Sequence, residues 1–284
     1  MTFKQFIDHY EQVCIDKNKS EFVVKYVTME LSNLEPHIFY TRMNDDIDEP
    51  LRHRIQEALN QYIDLHIPID YILGYRYFFG YKFYVNEHVL IPRNETEELV
   101  EHVLMNMDDM SPPLKLLDLG TGSGCIGITI KKEYSDVEVT LADISEDALK
   151  VAQQNAHQLN VYVSIVKSNW FSNIKGKYHV IVCNPPYIPE EEAVGDTVDK
   201  EPSLALFGGK SGLHHYETVL SQAQKFLHDG GFIAFEHGYD QKQALHQLIH
   251  TYMKYATIET MQDLQGKDRM TIVYPSRDMY LKEV

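Results

Sequence analysis

Cysteine is scarce. Cys14, Cys125 and Cys183 are the only three in 284 residues, odd in number and without CxxC spacing, so no disulfide framework is expected and the chain suits a reducing compartment. Positive charge is also in deficit. Lys and Arg number 26 against 42 Asp and Glu, a net charge of −16 with histidine neutral, and Lys/Arg-rich runs are missing. A protein that grips nucleic acid mainly through its phosphates needs dense cationic contacts, so direct nucleic-acid binding is not expected. No apolar run approaches the ~18 residues of a membrane span. The opening MTFKQFIDHYEQ lacks the apolar stretch and small-residue cleavage site of a secretory signal. These absences predict a cytoplasmic protein without membrane attachment; a monomer is expected. Fourteen histidines are present, but HExxH and zinc-finger spacings are not, and the adjacent His214 and His215 have no Cys/His company, so no metal is expected.

What is there reads as a folded chain, with hydrophobic residues at 44% and charged residues at 24%, and its length fits one large domain or two smaller ones. Residues 1–70 carry apolar residues at helical spacing. Phe3, Phe6, Ile7, Tyr10 and Cys14 make one stripe, Phe22, Val23, Tyr26, Val27 and Leu31 a second, and Leu51, Ile55, Leu59, Tyr62 and Ile63 a third, with Ser20 the expected N-cap of the second helix. This predicts a small helical domain suited to substrate docking. Residues 71–90, rich in Tyr, Phe and Val and punctuated by Gly74 and Gly80, predict a β-hairpin connector. From residue 91 to 284, buried-strand runs (KLLDLG, VEVTLAD, VYVSIVKS, KYHVIVCN, GGFIAFEHG) alternate with helical segments such as SEDALKVAQQNAHQL. That alternation predicts a doubly wound, Rossmann-like α/β sheet with ligands at the carboxyl ends of its strands.

One strand-to-helix turn stands out. Asp118 and Leu119 lead into Gly120-Thr121-Gly122-Ser123-Gly124, where absent side chains let the backbone approach a ligand. A dinucleotide fingerprint needs GxGxxG, but the position three past Gly122 is Cys125. GxGxG after the first strand instead resembles the loop of S-adenosylmethionine-dependent methyltransferases. On that resemblance Gly120, Thr121, Gly122, Ser123 and Gly124 bind the cofactor, whose product is S-adenosylhomocysteine. Asp143, ending the next strand, would take the ribose hydroxyls, because a carboxylate accepts two hydrogen bonds from a vicinal diol.

A second cluster follows the strand run His179–Cys183: Asn184-Pro185-Pro186-Tyr187. Two prolines remove two backbone donors and stiffen the chain, leaving carbonyls free of any sheet ladder. The Asn184 side-chain oxygen and the Pro185 carbonyl can receive both hydrogens of a planar NH2 group while Tyr187 packs against its plane. NPPY resembles the clamp of methyltransferases that act on a planar nitrogen in DNA, RNA or protein glutamine. The rest of the chain is similar to the HemK/PrmC family, glutamine methyltransferases of bacterial class 1 peptide chain release factors. The residues that carry this are Pro68-x-x-Tyr71-Ile72-Leu73-Gly74, Phe78, Gly80, Phe83, Val85, Leu90-Ile91-Pro92-Arg93-Asn94-Glu95-Thr96-Glu97-Glu98-Leu99-Val100, Glu201-Pro202, Ala205-Leu206, Gly208-Gly209, Gly212-Leu213, Tyr216, Glu236-His237-Gly238 and Asp263-x-x-Gly266-x-x-Arg269. The resemblance implies methyl transfer from S-adenosylmethionine to the glutamine amide of a Gly-Gly-Gln motif, with Asn184 and Pro185 catalytic and Asn184, Pro185, Pro186 and Tyr187 binding the substrate. It also places Trp170 and Asn184 beside the cofactor and has Arg93 and Glu97 organise the cleft. Asn94 and Asn169 depart from the family, which usually has a proline and an acid there. The alternative is a nucleic-acid amino methyltransferase, disfavoured by the charge.

Overall fold

A computed structural model describes residues 1–275. Two units compose it, residues 1–74 with 194–200 and residues 75–193 with the described residues from 201 onward. Among the described residues no helix is long and apolar enough to cross a membrane.

The smaller unit is helical: α1 (Phe3–Asp16), α2 (Phe22–Ser32), α3 (Pro36–Thr41), α4 (Glu49–Leu65) and α5 (Ile69–Leu73). Thr2 starts α1 with a capping box, its hydroxyl accepting from the Gln5 amide while Gln5 Oε1 accepts from the Thr2 amide. Asp48 caps α4 by accepting from the Leu51 amide at 2.9 Å. The stripes predicted on α1 and α4 are buried together. On α2 the buried face is instead Val24, Val27 and Thr28, with Phe22 78% exposed. Thr28 is tolerated there because its hydroxyl donates to the Val24 carbonyl at 2.7 Å. Nor does Ser20 cap this helix: Glu21 holds the N-cap position, with no side-chain cap bond. Tyr71–Leu73, expected to be extended, complete the single turn of α5, which Gly74 ends in a left-handed conformation. Segment 194–200 joins this unit through Asp196, whose carboxylate lies 3.6 Å from Lys19 Nζ and 3.2 Å from His66 Nδ1.

The larger unit opens with a hairpin, β1 (Tyr75–Phe78) and β2 (Tyr81–Tyr84), turned at Phe79-Gly80 with both residues at positive φ. Then follow α6 (Asn94–Asp108), β3 (Leu114–Leu119), α7 (Cys125–Glu133), β4 (Val137–Asp143), α8 (Glu146–Gln158), β5 (Ser164–Lys167), β6 (Tyr178–Cys183), α9 (Ser203–Leu206), α10 (His214–Ala223), β7 (Leu227–Glu236), α11 (Lys242–Tyr252), β8 (Thr257–Gln262) and β9 (Asp268–Tyr274). One seven-stranded sheet runs β5-β4-β3-β6-β7-β9-β8. Its first five strands are parallel. The antiparallel pair β8–β9 at its edge was not predicted from the sequence.

Both faces of the sheet are covered, which explains strands that read as unbroken apolar runs. Leu116, Val180 and Val182 point toward α6, α7 and the hairpin, joining Leu99, Ile128, Phe78 and Phe83. Leu117, Ile181 and Cys183 point the other way, joining Tyr216 of α10 and Leu245 of α11. From β3 the chain steps outward through β4 to β5, then returns to place β6 on the other side of β3. The order therefore reverses between β3 and β6, which opens a crevice at their carboxyl ends.

Candidate active site

The two clusters singled out in the sequence flank that crevice. In the β3–β6 register Leu119 pairs with Cys183, so the loop starting at Gly120 and the clamp starting at Asn184 leave the sheet side by side. The loop glycines all have positive φ: 71° at Gly120, 54° at Gly122 and 81° at Gly124. Gly124 is the N-cap of α7, and a Cβ there would lie 2.7 Å from Ile128 Cδ1 and 3.2 Å from Ala152 Cβ. Only glycine lets the loop turn this tightly against α7 and α8.

Two carboxyls, one buried and one half-buried, fix the loop from beneath. Asp118 Oδ2 accepts from the Thr121 hydroxyl at 2.6 Å and from the Gly127 amide at 3.0 Å, whereas its Oδ1 has no partner. Burial pushes this carboxyl up to about 6, against the pull of those two donors. Asp143, at the end of β4, accepts from the Gly122 amide through Oδ2 and from the Ser145 amide through Oδ1, each at 2.9 Å. Burial raises its pKa as well. Each of its oxygens keeps a lone pair for a further donor.

A cavity opens between these elements. Its wall includes Gly120, Thr121, Gly122, Ser123, Asp143, Trp170, Asn184 and Pro186 of the predicted residues, and also Thr96, Asn169 and His215. The Trp170 ring stands 5.2 Å from that of His215, so one side of the cavity is aromatic. Gly124, Pro185 and Tyr187 are not in the wall: Gly124 caps α7 behind the loop, and Pro185 is buried. Burial also pushes the Cys125 thiol up to about 12, so it is a poor nucleophile.

The clamp backbone is held from outside the cavity. Gln241 Nε2 donates to the Tyr187 carbonyl at 2.9 Å, the Ile188 amide donates to the Leu206 carbonyl at 3.0 Å, and the Gly208 amide donates to the Ile188 carbonyl at 2.8 Å. At Gly212, φ 72°, a Cβ would fall 2.2 Å from the Tyr187 carbonyl oxygen. This gives a physical reason for the glycines at 208 and 212, which pack backbone against backbone beneath the prolines.

Arg93 and Glu97 part company. Arg93 borders the cavity and pairs with Glu201, whose side chain is 2% exposed and also accepts from the Ile91 amide at 2.9 Å. Glu97, expected to help organise the cleft, lies outside the wall and accepts instead from the Phe79 amide at the hairpin turn. Asn94 begins α6 and accepts from Arg76 at 2.8 Å.

Sequence reasoning gave no role to Thr96 or Glu236, both 2% exposed. The Thr96 hydroxyl donates to Glu236 Oε2 at 2.6 Å, and Asn184 Nδ2 reaches the same hydroxyl oxygen at 3.4 Å. Glu236 is pushed up to about 7 by burial, the Thr96 and Asn184 hydrogen bonds pulling the other way. An acid ending the apolar run FIAF was the available signal.

Residues 95–201 match the methyltransferase small domain family. The chain is 35% identical to the release factor glutamine methyltransferase of Streptococcus pneumoniae, over 98% of this chain and 100% of that protein. It is 34% identical to the protein of the same name in Enterococcus faecalis, over 90% of this chain and 93% of the other. Among solved structures, a methyltransferase from Pyrococcus furiosus shares the fold with a TM-score of 0.52 at 18% identity, over 80% of this chain and 98% of that one.

Proposed function

The chain belongs to the release factor glutamine methyltransferase family, and on that footing we propose that it methylates the side-chain amide nitrogen of the Gly-Gly-Gln glutamine in class 1 peptide chain release factors. One observation carries the reading of the site: Asn184 stands across the strand-order reversal from the glycine loop, in the wall of the same cavity. S-adenosylmethionine suits that cavity. The glycine backbone leaves room for a ligand, Asp143 retains lone pairs for ribose hydroxyls, and Trp170 offers a flat apolar face for adenine. When bound, the cofactor supplies an electrophilic methyl group on a sulfonium.

The work of the chain's own residues is positioning. A glutamine amide nitrogen is a weak nucleophile because its lone pair is delocalised into the carbonyl. In this reading the Asn184 side-chain oxygen and the Pro185 carbonyl accept its two hydrogens, turn the nitrogen toward the methyl group and stabilise positive charge as it builds there. Tyr187 packs against the amide plane, and its hydroxyl stays protonated because burial raises its pKa. The amide proton leaves after methyl transfer. A substrate that works on ribosomes places the enzyme in the cytoplasm.

Radiolabelled methyl transfer tests this. A purified release factor, the same factor with its Gly-Gly-Gln glutamine replaced, DNA and RNA are each incubated with the enzyme and labelled S-adenosylmethionine. Label on the unaltered factor alone is expected; label on nucleic acid, or equal label on the altered factor, overturns the assignment.

A further inference from the structure

An amide side chain has two ends of nearly equal shape and opposite hydrogen-bonding character. What the protein offers one end decides which of them meets a ligand. For Asn184 that offer comes from two residues far away in the chain. In the β6–β7 register Cys183 pairs with Phe235, so Asn184 and Glu236 emerge side by side from the carboxyl edge of the sheet. Thr96, in the first turn of α6, completes the group.

The Thr96 hydroxyl spends its only hydrogen on Glu236 Oε2 at 2.6 Å, which leaves it lone pairs alone to present to Asn184 Nδ2 at 3.4 Å. The Asn184 side chain also favours the ionised form of the Glu236 carboxyl. Both neighbours of the Asn184 NH2 are therefore acceptors, and the side-chain oxygen is left for the cavity that Asn184 lines. We infer that Glu236 and Thr96 are positioning residues that hold the Asn184 amide with its oxygen toward the target nitrogen, an inference that rests on the functional reading above. A flipped Asn184 would set donors against the NH2 of the target.

The arrangement depends on charge. Ionised Glu236 can only accept. Once protonated it donates to Thr96 or to Asn184 itself, and the flipped amide becomes the better partner. Burial favours the protonated form, as does Glu95 from α6. Arg269 of β9 opposes it, together with the Thr96 and Asn184 hydrogen bonds. Tyr187, Tyr216 and Cys125, which also face this carboxyl, have pKa values raised above their usual ranges and stay neutral near pH 7. The Tyr216 hydroxyl is committed to the Glu236 backbone carbonyl at 2.7 Å.

The experiment measures kcat and KM for the release factor between pH 6 and 9, and cofactor affinity, for wild type, Glu236→Gln, Thr96→Val and Thr96→Ser. Wild-type kcat should fall as the pH drops through about 7, approaching tenfold per unit below it. Glu236→Gln should lower kcat about 10- to 100-fold at pH 8, abolish that limb and leave the cofactor Kd within about threefold. Thr96→Val should lose kcat on the same scale, and Thr96→Ser should recover most of it. Wild-type kcat and pH profile in Glu236→Gln, or equal rates for the two Thr96 variants, would overturn the inference. If Glu236→Gln does not fold, the Thr96 pair decides. Absence of label from the wild-type reaction is a separate result, which sinks the functional reading itself.

Discussion

Replacing Asp118 by asparagine should change the pH dependence of stability by an amount that can be worked from the structure. The Asp118 carboxyl is fully buried beneath the glycine loop, with one oxygen accepting two hydrogen bonds and the other none. Burial lifts it from 3.8 to about 6. The folded chain therefore holds this proton more tightly than the unfolded chain, and folding takes up a proton between those two values. Stability falls as the pH rises through that window. Above about 6 the full penalty of an ionised buried group applies: about 2 units at 1.36 kcal/mol each, or about 3 kcal/mol. Asp118→Asn keeps an oxygen for Thr121 and Gly127 and sheds the charge. Its loss of charge-assisted hydrogen bonds adds an offset that belongs to the ionised form and is already contained in the shift. The unfolding free energy of the variant minus that of wild type should climb by about 2 kcal/mol from pH 4 to pH 6, part of a total of about 3 kcal/mol, and level off above about pH 7. Urea denaturation across this range, read by the fluorescence of the single tryptophan, Trp170, follows the larger unit alone. A difference that stays constant with pH, or that falls as pH rises, would refute the reasoning.

Three further perturbations separate the clamp from the cofactor site. Asn184→Ala should lower turnover on the order of 100-fold while cofactor affinity holds, checked by steady-state kinetics beside calorimetric titration; near-normal turnover would remove Asn184 from the clamp. Gly212→Ala forces a side chain into a left-handed conformation with its Cβ 2.2 Å from the Tyr187 carbonyl oxygen. It should cost about 2 kcal/mol or more in stability and slow turnover at least about tenfold, with cofactor binding the lesser casualty. Because Trp170 is the only tryptophan and lines the cavity, S-adenosylmethionine should change the intrinsic fluorescence saturably, and Trp170→Ala should weaken its binding about tenfold. An unchanged affinity in that variant would move the adenine elsewhere.

The sequence by itself determined what depends on neighbours along the chain. Alternate glycines after an apolar run force a tight strand-to-helix turn because no other residue tolerates that backbone, and two prolines after a strand free their carbonyls whatever surrounds them. Near-continuous apolar runs, buried on both faces, made β3, β4 and β6 legible, and the acid ending VEVTLAD marked Asp143. Where the choice lay between equivalent local options, the sequence misled. Phe22 fits a helical stripe as well as Val24 does, and only packing against α1 and α4 sends Val24 inward and leaves Phe22 exposed. The β8–β9 pair is half-exposed along β8, so it lacked the continuous apolar signal of the central strands. Tertiary structure alone decided the long-range pairings: Arg93 with Glu201, and Thr96, Asn184 and Glu236 in one group. Those contacts join residues separated by 88 to 140 positions, and no local pattern encodes them. They follow from strand register and from the order in which β6 returns beside β3 and β7 beside β6, which is how a buried carboxyl comes to lie behind the clamp.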